Sequence, residues 1–246
     1  MRKFLPLFYF LTFILSANAQ DIQRKQLVAS RITSNIHIDG ILNEPEWADV
    51  AEATDFTQFQ FVYGKPSAYA TSIKVMYDNT AIYIGATMYD PHPDSIQKDL
   101  AARDEFGSAD FIGIIMDPYQ EGVNGIEFFV TASGVQTEAK TYPNSDNGED
   151  FTWDAVWVSA AKITEKGWVA ELKIPFSAIR FPNKDEQSWY INFVREVKRN
   201  RDKSAWNAID PQVQGFVNQS GILTGINNIK APVRLSLSPY FSTYYD

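Results

Sequence analysis

Apolar and polar residues alternate with a period of two along most of the chain. In TSIKVMYDNTAIYIGATMYD, Ile73, Val75 and Tyr77 alternate with Ser72, Lys74 and Met76. A DNT turn follows, and Ile82, Ile84 and Ala86 resume the alternation. Side chains that share a face at every second residue mark a half-buried strand, so this stretch predicts a β-hairpin. FIGIIMD, GIEFFVT, GVQTEAK, DAVWVSAAKI, GWVAELKI and SWYINFVREV repeat the pattern, separated by the turn segments ASG, PNSDNGED, TEKG and FPNKDEQ. Helical signals are short and few, at NEPEWADV, DSIQKDLA and PFSAI. The expected fold is all-β: an antiparallel, jelly-roll-like β-sandwich with a few short helices.

The stretch HIDGILNEPEW begins the pattern. Asn43 and Glu46 have the spacing of a capping box, and Pro45 suits a first helical turn. Trp47 is then expected to turn from this short helix onto the sandwich and close one end of the core. Trp157, Trp168 and Trp189 lie in strand patterns and are expected to pack inside. Trp153, beside an acidic loop, and Trp206, in SAWNAID, are the candidates for exposed aromatic surfaces.

Both ends of the chain depart from this pattern. Residues 1–19 combine Arg2 and Lys3 with the apolar run FLPLFYFLTFIL and small residues at Ala17 and Ala19. That is the make-up of a secretory signal cleaved before Gln20. After about Pro232, Val233, Leu235 and Leu237 alternate with Arg234, Ser236 and Ser238, and aromatic residues crowd the end. This reads as the start of a second, barrel-like domain, 231–246, with the sandwich filling 20–230. The expected location is therefore outside the cytoplasm, at the periplasmic face of an outer membrane or at the cell surface.

Charge and composition narrow the function. Without the signal, 20 basic residues face 30 acidic ones, which disfavours nucleic acid and anionic membrane surfaces as partners. There are no cysteines, so stability rests on the core rather than on disulfides. The two histidines, His37 and His92, are too few for a zinc site with several His ligands, and neither lies in a pattern that favours a His-based triad. Asp104, Asp110, Asp117, Glu127, Asp150, Asp154 and Glu171 supply many carboxylates, but nothing in their spacing pairs two across a cleft. Apart from Glu171, which shares a strand face with Val169 and Lys173, they read as solvated or turn residues, and catalysis is not expected of this domain.

IHIDGILNEPEW, IKVMYDNTAIYIGATMYDP, ADFIGIIMDP and KGWVAELKIPFSAIRF occur in an order and spacing that resemble family 9 carbohydrate-binding modules, from about Ile32 to Ile226. RLSLSPYF further resembles bacterial outer-membrane proteins in which such a module precedes an uncharacterised barrel. The resemblance implies a β-sandwich that binds an oligo- or polysaccharide without catalysis. In sugar-binding members two tryptophans sandwich the terminal sugar; their places fall on Gly107 and near Gln214. A polar acid falls on Gly113, and an Arg and an Asn fall on Phe129 and Thr131, so none of these positions keeps the family residue. Phe106 and Phe216 lie beside the two tryptophan places and are the candidates to replace them, with Trp206 and Trp153 as further aromatic candidates.

Family members also bind calcium structurally. YPNSDNGEDFTWD, with Asn144, Asp146, Asn147, Glu149, Asp150 and Asp154, is the candidate Ca2+ loop, although a solvated acidic loop fits the same residues. The basic run VREVKRNRDK reads as a strand end turning into a polar loop that can pair with acidic loops. Two functions follow: glycan binding for a linked enzyme or transporter, or a periplasmic cap or docking domain of an outer-membrane barrel that no longer binds sugar.

Overall fold

The structure, a computed structural model, describes residues 23–142, 148–231 and 242. The expected signal segment and barrel-like tail therefore lie outside the described residues, as do Asn144, Asp146 and Asn147. The strands, in chain order, are β1 (Gln26–Val28), β2 (Ser30–Arg31), β3 (Glu52–Ala53), β4 (Thr57–Gln58), β5 (Thr71–Tyr77), β6 (Ala81–Tyr89), β7 (Phe111–Asp117) and β8 (Gly125–Thr131). They continue with β9 (Gln136–Thr141), β10 (Glu149–Asp150), β11 (Val158–Thr164), β12 (Gly167–Pro175), β13 (Glu186–Val197), β14 (Asp202–Ala205) and β15 (Gly221–Asn227).

One sheet runs β1-β15-β13-β7-β8-β9-β10, with β14 on β13 and β4 on β14. The other runs β11-β12-β6-β5-β2, with β3 on β5. The predicted hairpin is β5–β6, paired antiparallel from Thr71–Met88 to Tyr77–Ile82. Among the described residues all strand pairings are antiparallel except two near the start of the chain, where β1 lies parallel to β15 and β2 parallel to β5. Residues 26–31 therefore join both sheets along one edge. Gly225 lets the strap come close, because a Cβ there would lie 2.8 Å from the Ala29 carbonyl oxygen.

Period-two alternation decides which residues form the core between the sheets. Ile73, Val75 and Tyr77 of β5, Ile82, Ile84 and Met88 of β6, and Trp168, Leu172 and Ile174 of β12 face Ile112, Ile114 and Met116 of β7, Phe128 and Val130 of β8, and Trp189, Ile191 and Phe193 of β13. Each such side chain contributes roughly 1.5–3 kcal/mol on burial, which makes this core the principal source of stability in a chain without cysteines.

The outer face of the smaller sheet is covered as well. Ile36, Trp47, Val50, Met76, Ala81 and Tyr83 form a second cluster there, and Leu42 and Trp47 lie directly over Gly85. Trp47 is buried as expected, but it covers a sheet face rather than closing an end of the core. The expected capping box is not formed either: the 3-10 turn Pro45–Trp47 begins after Glu44, and the Ser34 hydroxyl donates to Glu46. The HIDG turn is instead held by Glu171. One oxygen of that buried carboxylate accepts the backbone N–H groups of Asp39, Gly40 and Ile41 at 2.9, 2.8 and 3.3 Å.

The acids read as solvated include several that are not. Asp110, Asp117 and Glu127 are each at most 3% exposed. Their pattern is a strand residue or strand end whose carboxylate is closed by nearby donors, mostly backbone N–H groups, which alternation by itself does not distinguish from an outward-facing acid.

Candidate functional site

The outer face of the larger sheet carries an aromatic cluster. With Ile112, Ile114 and Met116 turned inward, β7 presents Phe111, Gly113 and Ile115 outward. Phe129 of β8 and Val194 of β13 flank Gly113 in register. These residues pack with Ala205, Ile209 and Val217, and Phe59, Phe106, Phe151 and Phe216 lie half-buried on top.

The rings fill the face. The Phe129 ring lies over Gly113, where a Cβ would approach two ring carbons to 2.5 Å. Phe106 sits 4.9 Å from Phe111, 5.1 Å from Phe129 and 6.0 Å from Phe151 between ring centroids, and Phe59 meets Phe216 edge-on at 5.7 Å. Aromatic pairs in this geometry add about 0.5–1.5 kcal/mol each beyond area burial, so the cluster is held together as a packed layer.

Polar groups at its margin are engaged with one another. Glu127, two residues before Phe129 on the same face, accepts a hydrogen bond from the Thr141 hydroxyl and lies beside the Glu149 carboxyl. Burial first, and then the neighbouring Glu149 charge, push Glu127 up to about 8, and burial raises Glu149 as well. Two neighbouring carboxylates repel, which together with burial favours the protonated form of Glu127. Thr131 donates no contact to this surface: its hydroxyl pairs with Ser133 at 2.9 Å and accepts Val135 N–H at 3.0 Å.

The residue profile of the family described as "Carbohydrate family 9 binding domain-like" matches residues 38–220. The chain belongs to that family. Solved structures agree on the fold. An inferred carbohydrate-binding protein from Bacteroides uniformis ATCC 8492 superposes with a TM-score of 0.65 at 12% identity, over 82% of this chain and 99% of that one. A family 9 carbohydrate-binding module from Caldicellulosiruptor kristjanssonii, in complex with cellotriose, superposes with a TM-score of 0.56 at 15% identity, over 87% of this chain and 100% of its own. The same module in complex with glucose gives 0.57 over the same shares. No curated protein matches the chain.

Within this family 9-like sandwich the four aromatic candidates do not converge. Phe106 and Phe216 both lie on the outer aromatic face, half-buried and engaged edge-on. Trp206 corrects its expectation. It is 3% exposed, follows the outward-facing Ala205 and therefore turns inward, where it packs 5.6 Å from Phe193. Trp153 lies on the other side of the sheet, half-buried against the main core, 5.8 Å from Phe128 and with the Lys140 ammonium 4.8 Å from its ring centroid. Trp157, Trp168 and Trp189 pack inside as expected.

The basic run closes one end of the sandwich. Arg195 is fully buried and donates to Ala70 O, Thr71 Oγ1 and Tyr89 O, tying β13 to the opposite sheet. Arg199 pairs with Asp90 of the DPHPD loop at 2.7 Å, and Lys198 and Lys203 pair with Glu196. In the candidate calcium loop, Asp150 accepts bonds from Thr152 and Tyr142, which hold it at about 2, and Glu149 faces Glu127. Among the described residues no group of three or more His, Asp or Glu is placed to hold a metal ion.

Proposed function

We propose that the protein is a non-catalytic carbohydrate-binding module of an exported bacterial protein linked to polysaccharide breakdown or uptake. The family match over residues 38–220 carries this reading. The likeness of the sandwich to a module in complex with cellotriose and glucose supports saccharides as the partner class. The buried carboxylates support a binding rather than a hydrolytic role. Glu171 is closed by backbone N–H groups, and Glu127 faces Glu149 directly, whereas glycoside hydrolysis needs two carboxylates facing each other across a substrate. Export to the periplasm or cell surface is proposed on the signal-like make-up of residues 1–19.

Calorimetric titration of the chain from Gln20 to Lys230 with xylo-, cello-, manno- and galacto-oligosaccharides, in calcium and then in chelator, tests the reading. Saturable heat with at least one series is expected. Dependence on calcium would assign the metal a structural part, and silence with every series from a folded domain would overturn the module reading.

A second reading has its own observation. Phe61, Val62 and Tyr63 stand 72%, 48% and 53% exposed at the tip beyond β4, and exposed apolar clusters of this kind mark interaction surfaces. On this reading the sandwich is a cap or docking domain for an outer-membrane barrel following Pro232. Co-purification of the isolated domain with the barrel, lost on Phe61→Ser, would favour it.

A further inference from the structure

The family's sugar-binding face is filled with phenylalanine, but the far side of the same sheet holds a cavity of about 500 Å3. We infer that this cavity, between the β7–β8 turn, the end of β9 and the turn after β12, is the saccharide site, and that it takes neutral pyranosides. The inference rests on the glycan-binding reading and moves the contact surface from the outer face to this cavity.

Its lining has the chemistry a sugar ring needs. Trp153 is half-buried in the wall with the Lys140 ammonium 4.8 Å from its ring centroid, and Tyr119 is 50% exposed at the mouth; the ring surface these contacts leave open is what meets the C–H face of a pyranose. Lys140 and Arg180 supply donors, and neither has an ion-pair partner within 4 Å among the described residues. Glu121 and Asn124, both exposed, supply acceptors at the rim. A volume of this size falls within the range of small-molecule sites, roughly 300–1,000 Å3.

The walls are held in place before any ligand arrives. Asp117 accepts Tyr119 N–H at 3.0 Å and Gly122 N–H at 2.7 Å, which fixes the turn bearing Tyr119 and Glu121. Asp150 fixes the turn before Trp153 through Thr152 N–H at 2.9 Å, and Glu138 accepts Ala155 N–H at 2.9 Å just after it. Ala178 N–H bonds Pro175 O at 2.8 Å in the turn leading to Arg180. Fixed walls reduce the ordering cost of binding.

Charge decides the ligand class. Lys140 and Arg180 are matched by Asp117 and Glu121 in the same lining, and Asp150 lowers the field at Lys140 further. A uronate or sulfated sugar would gain no net attraction, whereas the mixed donors and acceptors suit the hydroxyls of a neutral ring, each of which must keep a partner when it leaves water.

Five of the six tryptophans are buried and only Trp153 is half-exposed, which gives a direct optical test. Cellotriose, xylotriose and mannotriose are titrated calorimetrically into the Gln20–Lys230 chain and into its variants, with acrylamide quenching of tryptophan fluorescence in parallel. With at least one neutral trisaccharide, binding should protect Trp153 from quenching. Trp153→Ala should weaken it by about tenfold or more, the loss of one stacking contact of roughly 1.4 kcal/mol. Trp153→Tyr should retain most of the affinity, and Arg180→Met, an exposed position, should weaken binding without loss of fold. Phe106→Ala and Phe216→Ala should leave affinity unchanged within about twofold.

Binding that survives Trp153→Ala and disappears with Phe216→Ala would overturn the cavity assignment and leave the module reading intact. A preference for glucuronate oligomers that fades at high salt would overturn the neutral class. No binding of any sugar by the folded chain would overturn both the cavity and the module reading.

Discussion

Glu171 shows how one side chain can organise a segment far away in sequence. Its carboxylate gathers three N–H groups of the Asp39–Ile41 turn, and so fixes the loop that brings Leu42 and Trp47 over the sheet. Glu171→Ala leaves those donors without an acceptor and should cost about 2–5 kcal/mol in urea unfolding; Glu171→Gln keeps an acceptor oxygen and should cost less than half as much. Equal losses would show that the contact adds nothing beyond packing. Glu127 gives a titration at the same scale. Its folded value, about 8, lies above the unfolded 4.5, so the native chain holds a proton that the unfolded chain releases between these values. The stabilisation is complete below about pH 4.5 and is lost as pH rises through about 8. Glu127→Gln should flatten the dependence of the urea midpoint on pH between 5 and 9, removing a slope worth roughly 2–5 kcal/mol in all. Parallel profiles for the two proteins would contradict a raised Glu127 carboxyl.

At the level of elements, β6 and the HIDGILNEPEW segment fit each other at Gly85. A Cβ there would come within 2.7 Å of Leu42 and 3.0 Å of Trp47, so Gly85→Ala should destabilise by about 1–3 kcal/mol, and Trp47→Ala by about 3–5. Because the two changes act on one contact, Gly85→Ala should cost clearly less in the Trp47→Ala background, measured as a double-mutant cycle; additivity would contradict the packing. These elements also mark what the sequence makes legible. The hairpin β5–β6 and the inward tryptophans follow from alternation, because water on one side and core on the other impose a period of two. Alternation does not reveal that both faces of β5 and β6 are covered, as Met76 and Tyr83 are, because a buried outer face depends on a distant segment folding over it. For the same reason Trp206 reads as exposed in its polar neighbourhood yet turns inward, and Asp110 and Glu127 read as solvated yet are closed over. Phe106 and Phe216 share the outer face of the larger sheet, and their edge-on packing against other rings depends on strand register, which alternation does not reveal. Lys140 and Arg180 carry no local signal at all: they come from strands and turns that meet only in the folded chain.

As a whole molecule the chain keeps the family sandwich and redistributes its surfaces. The outer face of the larger sheet carries Phe106, Phe129 and Phe151, while its inner margin opens onto aromatic and charged groups around Trp153. The mixed lining predicts little change of glycan affinity with salt, in contrast to a steered anionic ligand, and calorimetry at low and high salt distinguishes the two. The central proposal, glycan binding away from the family's face, is tested most directly by amide shift mapping of the isotopically labelled Gln20–Lys230 chain during a cellotriose titration. Perturbations grouped at Tyr119, Lys140, Trp153 and Arg180, with Phe106, Phe129 and Phe216 unmoved, are the predicted result. Perturbations grouped on the phenylalanine face, or a spectrum unchanged by cellotriose and then by xylotriose and mannotriose, would contradict it.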